Sequence, residues 1–204
     1  MTIKTIIFDL GGVLIDWNPE YLYLDIFERD RVKMNAFFEQ VCTMDWNENQ
    51  DAGYPLSKAT VDRIVLFPEY ETLIKIYYGR WEEMLGKAIS GSVQILKKLI
   101  DDPKFRIVAL TNWSAETFPV ALKRFDFLHL FEGIVVSGTE KTRKPYPEIY
   151  QITLDRFNIA PSEALFIDDN PRNIKGAEVL GINGIHFSTP ENLIKDLNNF
   201  KIKL

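Results

Sequence analysis

The chain has 204 residues, enough for one domain or a core carrying a modest insertion. Apolar residues make up 46% of it and charged residues 26%, the balance of an ordinary globular protein, which excludes a disordered chain. A net charge of -5 argues against a general nucleic-acid binder, which carries a basic stripe. A small anionic substrate stays open, because a local cluster of cations overrides the global sign.

In chain order, the first apolar run is Ile3 to Phe8, stopped by Asp9 and followed by Leu10, Gly11 and Gly12. It is too short and too early for a signal peptide, and no run approaches the ~20 residues of a membrane span. A reducing cytoplasm is the expected location, with the lone Cys42 a buried thiol on a helix. From about Trp17 to Ile89 no strand is expected. Helix-like stretches run over Pro19 to Arg29, Arg31 to Val41, Ser57 to Leu66 and Glu69 to Leu85, with Gly53 and Pro55 marking a turn.

Beyond this segment, strands and helices alternate. The apolar runs Arg106–Leu110, Gly133–Val136, Ala164–Ile167 and Gly184–Phe187 lack polar alternation, as strands buried on both faces do. Helical patterns separate them at Ser92–Ile100, Phe118–Phe125, Pro147–Phe157 and Asn173–Leu180. Ser162, with Glu163 behind it, reads as a helix N-cap, and Gly181 as a glycine just past a helix end. This order predicts an α/β fold with a doubly wound parallel sheet. Residues 1–16 and 90–204 form the core, and residues 17–89 a helical lid inserted after the first strand. The competing arrangement has those helices padding one face of the sheet.

In such a sheet, ligands bind beyond the carboxyl ends of the strands. The first strand ends in Asp9 and the second in Thr111 and Asn112. Lys141, Arg143 and Lys144 follow the third, and Asp168, Asp169 and Asn170 end the fourth. Asp9 and Asp169 form an anionic pair suited to Mg²⁺, a hard cation that takes oxygen ligands. A carboxylate at Asp9 is ionised at neutral pH on its ordinary pKa and needs no activating base to attack phosphorus. Thr111 and Lys144 are placed to bind the phosphoryl oxygens, where transition-state charge collects. Gly11 and Gly12 let the backbone come close to a ligand or metal.

The segments Phe8-Asp-Leu-Gly-Gly-Val-Leu14, Ala109-Leu-Thr-Asn112, Lys144-Pro-Tyr-Pro-Glu148 and Phe166-Ile-Asp-Asp-Asn170 together resemble the haloacid dehalogenase-like hydrolases, in the subfamily with a helical cap inserted after the first motif. The resemblance covers essentially the whole chain. It implies a Rossmann-like core and a magnesium-dependent phosphatase acting on a small phosphorylated metabolite, with no nucleic-acid or membrane partner. By it, Asp9 is the nucleophile and a metal ligand, Thr111 and Lys144 bind phosphate, and Asp169 and the Gly11 carbonyl bind metal. Asp168 supports the metal site or interacts with Lys144.

Two positions depart from the family pattern. Gly11 stands where its phosphatases carry the aspartate that protonates the leaving group, and Asp16 is the nearest carboxyl in sequence. Asn173 stands where an aspartate is frequent, and its amide can still bind a metal-bound water. Two alternatives therefore stay open, a metal-independent 2-haloacid dehalogenase and a non-catalytic phosphate-binding relative. Asn112 is expected to bond the nucleophile or phosphate, and Trp17, with Asn18, to sit at the hinge beside substrate. Trp113 also lies near the cleft, whereas Trp46 and Trp81 are expected to pack within the lid. Arg143 reads as a solvated loop cation, Glu48, Asp51 and Arg80 as solvated helix charges, and His129 and His186 as structural.

Overall fold

The computed structural model describes residues 2–204. β1 (Thr5–Phe8) is followed closely by β2 (Ile15–Trp17). Five helices come next: α1 (Glu20–Ile26), α2 (Arg31–Gln40), α3 (Met44–Asp51), α4 (Leu56–Leu66) and α5 (Glu71–Gly79). The chain returns in β3 (Leu85–Ala88), which pairs antiparallel with β2. From there strand and helix alternate: α6 (Ser90–Asp101), β4 (Arg106–Thr111), α7 (Phe118–Arg124), β5 (Ile134–Val136), α8 (Ser137–Glu140), α9 (Pro147–Phe157), β6 (Ala164–Asp168), α10 (Pro171–Val179), β7 (Asn183–His186) and α11 (Pro190–Asn199).

The five predicted strands form one parallel sheet in the order β5-β4-β1-β6-β7. Consecutive residues of its middle strands enter opposite layers, as the two-residue strand period requires. Ile6, Phe8, Ile107, Ala109, Leu165 and Ile167 join one apolar cluster. Ile7, Val108, Leu110 and Phe166 join the other, under Ile149, Tyr150 and Leu154 of α9 and Ile174 and Ala177 of α10. Burial on both sides explains the unbroken apolar runs. Among the described residues no helix is long and apolar enough to cross a membrane.

Several local expectations are corrected. β3 lies inside the stretch expected to hold no strand; at four residues, LGKA carries too little β-branched or alternating character to be read. The helix expected over Glu69–Leu85 stops at Gly79, and a 3-10 turn, Trp81–Met84, delivers the chain into β3. α3 was not anticipated, although Thr43 caps it by accepting from the Trp46 N–H at 3.1 Å. Ser162 caps no α-helix: Pro161–Glu163 is a single 3-10 turn and Ala164 enters β6 at once. Gly181 does lie just past α10 with φ +81, a conformation that favours glycine. Cys42 is buried just beyond α2, and burial pushes its thiol up to about 12.

The inserted helices are held by aromatic rings. Tyr23 stacks among Phe27, Phe37, Phe38 and Tyr77, with ring centroids 5.1 to 6.3 Å apart. Tyr23, Phe37, Ile74 and Tyr77 belong to the same apolar cluster as the sheet face bearing Ile6 and Phe8.

Candidate active site

Asp9 is the first residue past the central strand, and its N–H donates to the Ile167 carbonyl at 2.8 Å, so backbone register fixes its place beside β6. One carboxylate oxygen, Oδ1, accepts from the Leu10 N–H at 2.7 Å and from Lys144 Nζ at 2.9 Å. Lys144 is fully buried. Its ammonium also donates to Asp168 Oδ2 at 2.6 Å and to the Leu110 carbonyl at 3.1 Å, which uses all three of its protons. Asp168, equally buried, accepts in addition from the Asn170 N–H at 2.8 Å and from Asn173 Nδ2 at 3.0 Å. Asp168 thus anchors the lysine and the start of α10.

Asp9, Asp168 and Asp169 each offer an oxygen within 4.8 Å of the others. Burial pushes the Asp9 carboxyl well up, Lys144 opposes this, and the charges of Asp168 and Asp169 add to the rise. The ordinary carboxylate value expected for Asp9 therefore does not hold, because its ionised form depends on nearby positive charge. Asp169 is raised by burial and by Asp168 as well. Burial alone would lower Lys144, but Asp168 and Asp9 outweigh it and hold the amine charged. Gly12, at φ +72, lets the first loop lie against Asp169: a Cβ there would stand 2.3 Å from Oδ2.

The residue types suit a divalent cation and an anion. Three carboxylates face the one ammonium of Lys144, which leaves a surplus of negative charge to be balanced. Two buried oxygens, Thr111 Oγ1 at the end of β4 and Asn173 Oδ1, have no hydrogen-bond partner within the protein. Both are free for a ligand or a bound water.

A cavity of about 260 Å³ opens over this edge, lined from the sheet by Asp9, Gly11, Asn112, Trp113 and Asp169. From the inserted segment it is lined by Trp17, Met44, Asn47, Glu48, Asp51, Tyr78 and Trp81. Trp17, the last residue of β2, is part of that lining. Trp81 packs edge-on to Trp113 with centroids 5.7 Å apart and lines this cavity, whereas Trp46 packs on Tyr77 and Tyr78 inside the helical layer.

Other expectations change. Asn112 clamps the Lys144 backbone instead of bonding Asp9: its Nδ2 donates to the Lys144 carbonyl at 3.0 Å and its Oδ1 accepts from the Lys144 N–H at 2.8 Å. Asp16 accepts from Tyr21 Oη and lies outside the cavity lining. Arg143 is largely buried, paired with Glu48 at 2.9 Å, and Glu48 also holds Arg172 at 2.6 Å. Glu48 and Asp51 are therefore not solvated helix charges; Arg80, exposed and paired with Glu83, is one. Both histidines bond backbone carbonyls, His129 that of Leu122 and His186 that of Asp169. Asn47, expected near the cleft, does line it, and the missed residues are Glu48 and Asp51, which stand one turn apart on one face of α3, with Asp51 four positions after Asn47. Recognising Thr43 as the cap would have shown that face.

Residues 6–187 match the model of the family described as haloacid dehalogenase-like hydrolase. The chain belongs to that family. A sesquiterpene phosphatase of Aspergillus oryzae is 25% identical over 92% of this hydrolase and 91% of its own length. The mouse acyl-CoA dehydrogenase family member 10 is 41% identical over 85 residues, which cover 41% of this chain and 7% of that protein. A HAD family enzyme of Bacteroides thetaiotaomicron, crystallised with magnesium and inorganic phosphate, shares the fold at TM-score 0.70 and 24% identity, over 92% of this chain and 95% of its own.

Proposed function

We propose that this hydrolase is a magnesium-dependent phosphatase that removes phosphate from a small phosphorylated metabolite through an aspartyl-phosphate on Asp9, in the cytoplasm. The observation that carries the reading is the buried carboxylate of Asp9 among a surplus of negative charge, in a half-open cavity it shares with Asn173, whose Oδ1, like Thr111 Oγ1, has no partner within the protein. Asp9, the Gly11 carbonyl and Asp169 would hold the metal, with Asn173 Oδ1 accepting from a water on it. When bound, magnesium supplies positive charge beside Asp9 and orients an anionic phosphoryl group.

Asp9 Oδ1 is tied by Leu10 and Lys144, so Oδ2 is the oxygen left to attack phosphorus. The P–O bond to the leaving group breaks as the new bond forms, and water then hydrolyses the aspartyl-phosphate to free phosphate and Asp9. Lys144 favours the ionised form of Asp9 and lends positive charge to the phosphoryl oxygens, and Thr111 Oγ1 donates to one of them. Asp168 acts by holding Lys144 and Asn173. Residues 17–89 act as the cap, excluding water and shaping the leaving-group side of the cavity.

The test is turnover of a panel of phosphorylated metabolites with and without Mg²⁺, with Asp9→Asn as the blank. Loss of ~10⁴-fold or more in that variant is expected, together with loss on chelation by EDTA. Turnover by Asp9→Asn at the parent rate would overturn the assignment, and 2-haloacid turnover that survives EDTA would favour the dehalogenase reading.

A further inference from the structure

A phosphomonoester of an alcohol leaves as an alkoxide unless a proton reaches the bridging oxygen, and the first loop offers no acid for this. Gly11 has no side chain, and a Cβ built on it would meet nothing within 4 Å. Asp16 points elsewhere. At the sheet edge Asp9 and Asp168 are paired with Lys144, and Asp169 stands beside them in the acidic group assigned above to the metal.

The inserted segment brings in two further carboxyls, and their surroundings differ. Glu48 is held by two guanidinium groups, Arg143 at 2.9 Å and Arg172 at 2.6 Å. Asp51 makes no ion pair among the described residues. Its Oδ2 accepts from Asn47 Nδ2 at 3.2 Å, and Asn47 in turn accepts from Tyr78 Oη at 3.0 Å. The last turn of α3 is fastened to the core where Ser137 Oγ, just past β5, donates to the Asp51 carbonyl. Gly53, at φ +91, permits this approach, since a Cβ there would stand 2.8 Å from the Gly138 carbonyl. Asp51 is thus a member of the inserted helices pinned to the sheet edge, lining the same small cavity as Asp9. That cavity is smaller than the usual ~300–1,000 Å³ of ligand pockets, so an ester seated there over Asp9 would also meet Asp51.

We propose that Asp51 is the catalytic acid and base that replaces the missing group at Gly11, a role that rests on the phosphatase reading above. In the first step its O–H gives a proton to the bridging ester oxygen as the P–O bond breaks, so that a neutral alcohol departs and Asp51 becomes a carboxylate. In the second, that carboxylate takes a proton from the water attacking the aspartyl-phosphate, and Asp51 returns to its acid form. Its surroundings match this cycle. Burial and the adjacent Glu48 push its carboxyl up to about 7, opposed by Arg143, the Ser114 N–H and Lys144. Tyr77 and Tyr78 of α5 face it as well, and both stay protonated, raised by burial. At neutral pH the group can both give and accept a proton.

The experiment compares the parent, Asp51→Asn and Asp9→Asn on phenyl phosphate and p-nitrophenyl phosphate with Mg²⁺. The two esters share a shape, but only phenolate needs a proton to leave readily. Asp51→Asn is expected to lower kcat/KM, which reports the step in which the leaving group departs, ~100-fold on phenyl phosphate and less than ~10-fold on p-nitrophenyl phosphate. The shared hydrolysis step is read in kcat and should slow alike for both. The fall in the parent's phenyl phosphate rate above about pH 7 should vanish in that variant. The asparagine keeps the shape of the side chain, and turnover of p-nitrophenyl phosphate itself reports that the site is folded. Equal losses of kcat/KM on both esters would overturn the role of Asp51 while leaving Asp9-dependent turnover intact. Absence of any Asp9-dependent turnover in the parent would instead bring down the phosphatase reading, and this proposal with it.

Discussion

The sheet edge and the inserted helices both send carboxyls into one cavity, yet they hold them by different means. At the sheet edge, backbone register sets the positions: Asp9 follows β1 and Asp168 ends the adjacent parallel β6, and Lys144 bridges them from a fully buried place. The inserted helix α3 has no such register with the core. Its Glu48 reaches Arg143 and Arg172, and its Asp51 backbone takes the Ser137 hydroxyl. The first arrangement is rigid because any shift would break a strand pair. The second adds these side-chain bonds to the apolar packing that the inserted helices share with one face of the sheet.

Loss of Lys144 should have the largest effect. Lys144→Met would leave Asp9 and Asp168 buried without their cation, and a loss of ~3–5 kcal/mol of stability is expected, read by denaturant unfolding. A loss below ~1 kcal/mol would show that the lysine is not the keystone of the edge. Glu48→Gln should act on the other region. Its removal frees two guanidinium groups at a partly buried joint, so a loss of ~1–3 kcal/mol is expected, less than for a fully buried pair. A higher KM should accompany it, because the cavity wall loosens while the sheet edge stays intact. Unchanged KM and stability would mean that these bridges do not hold the helices on the core.

The pH dependence of stability should show a smaller effect. Asp51 has its carboxyl raised to about 7, above the ordinary 3.8 it regains on unfolding. Its contribution to stability is thus complete below the ordinary value and is lost as pH rises through about 7. Between pH 6 and pH 8 the parent should lose about 1 kcal/mol relative to Asp51→Asn, measured as the difference between their unfolding curves. Parallel pH dependences in the two proteins would place Asp51 in ordinary solvent contact.

The core was legible because its signals are local. Asp9, Thr111 and Asp168 each sit where an apolar run gives way to polar residues, and that boundary is visible without knowing what pairs with what. The short ribbon of β2 and β3 was not legible, since three and four residues carry too little periodicity to separate strand from loop. Nor did the chain reveal how Lys144 spends its protons. The Leu110 carbonyl that takes one of them is 34 positions away and differs in no way from other backbone acceptors.

By itself, then, the sequence determined the five strands, their order of polar endings and the chemistry those endings support, because hydrophobic runs and turn residues act over a few neighbours. Tertiary structure alone decided which inserted residues reach the site. Glu48 and Arg172 are 124 positions apart and Asp51 and Ser137 are 86 apart, so their meeting depends on how two separately formed layers come together. A carboxyl on a short helix looks solvated until the neighbour that buries it is in place.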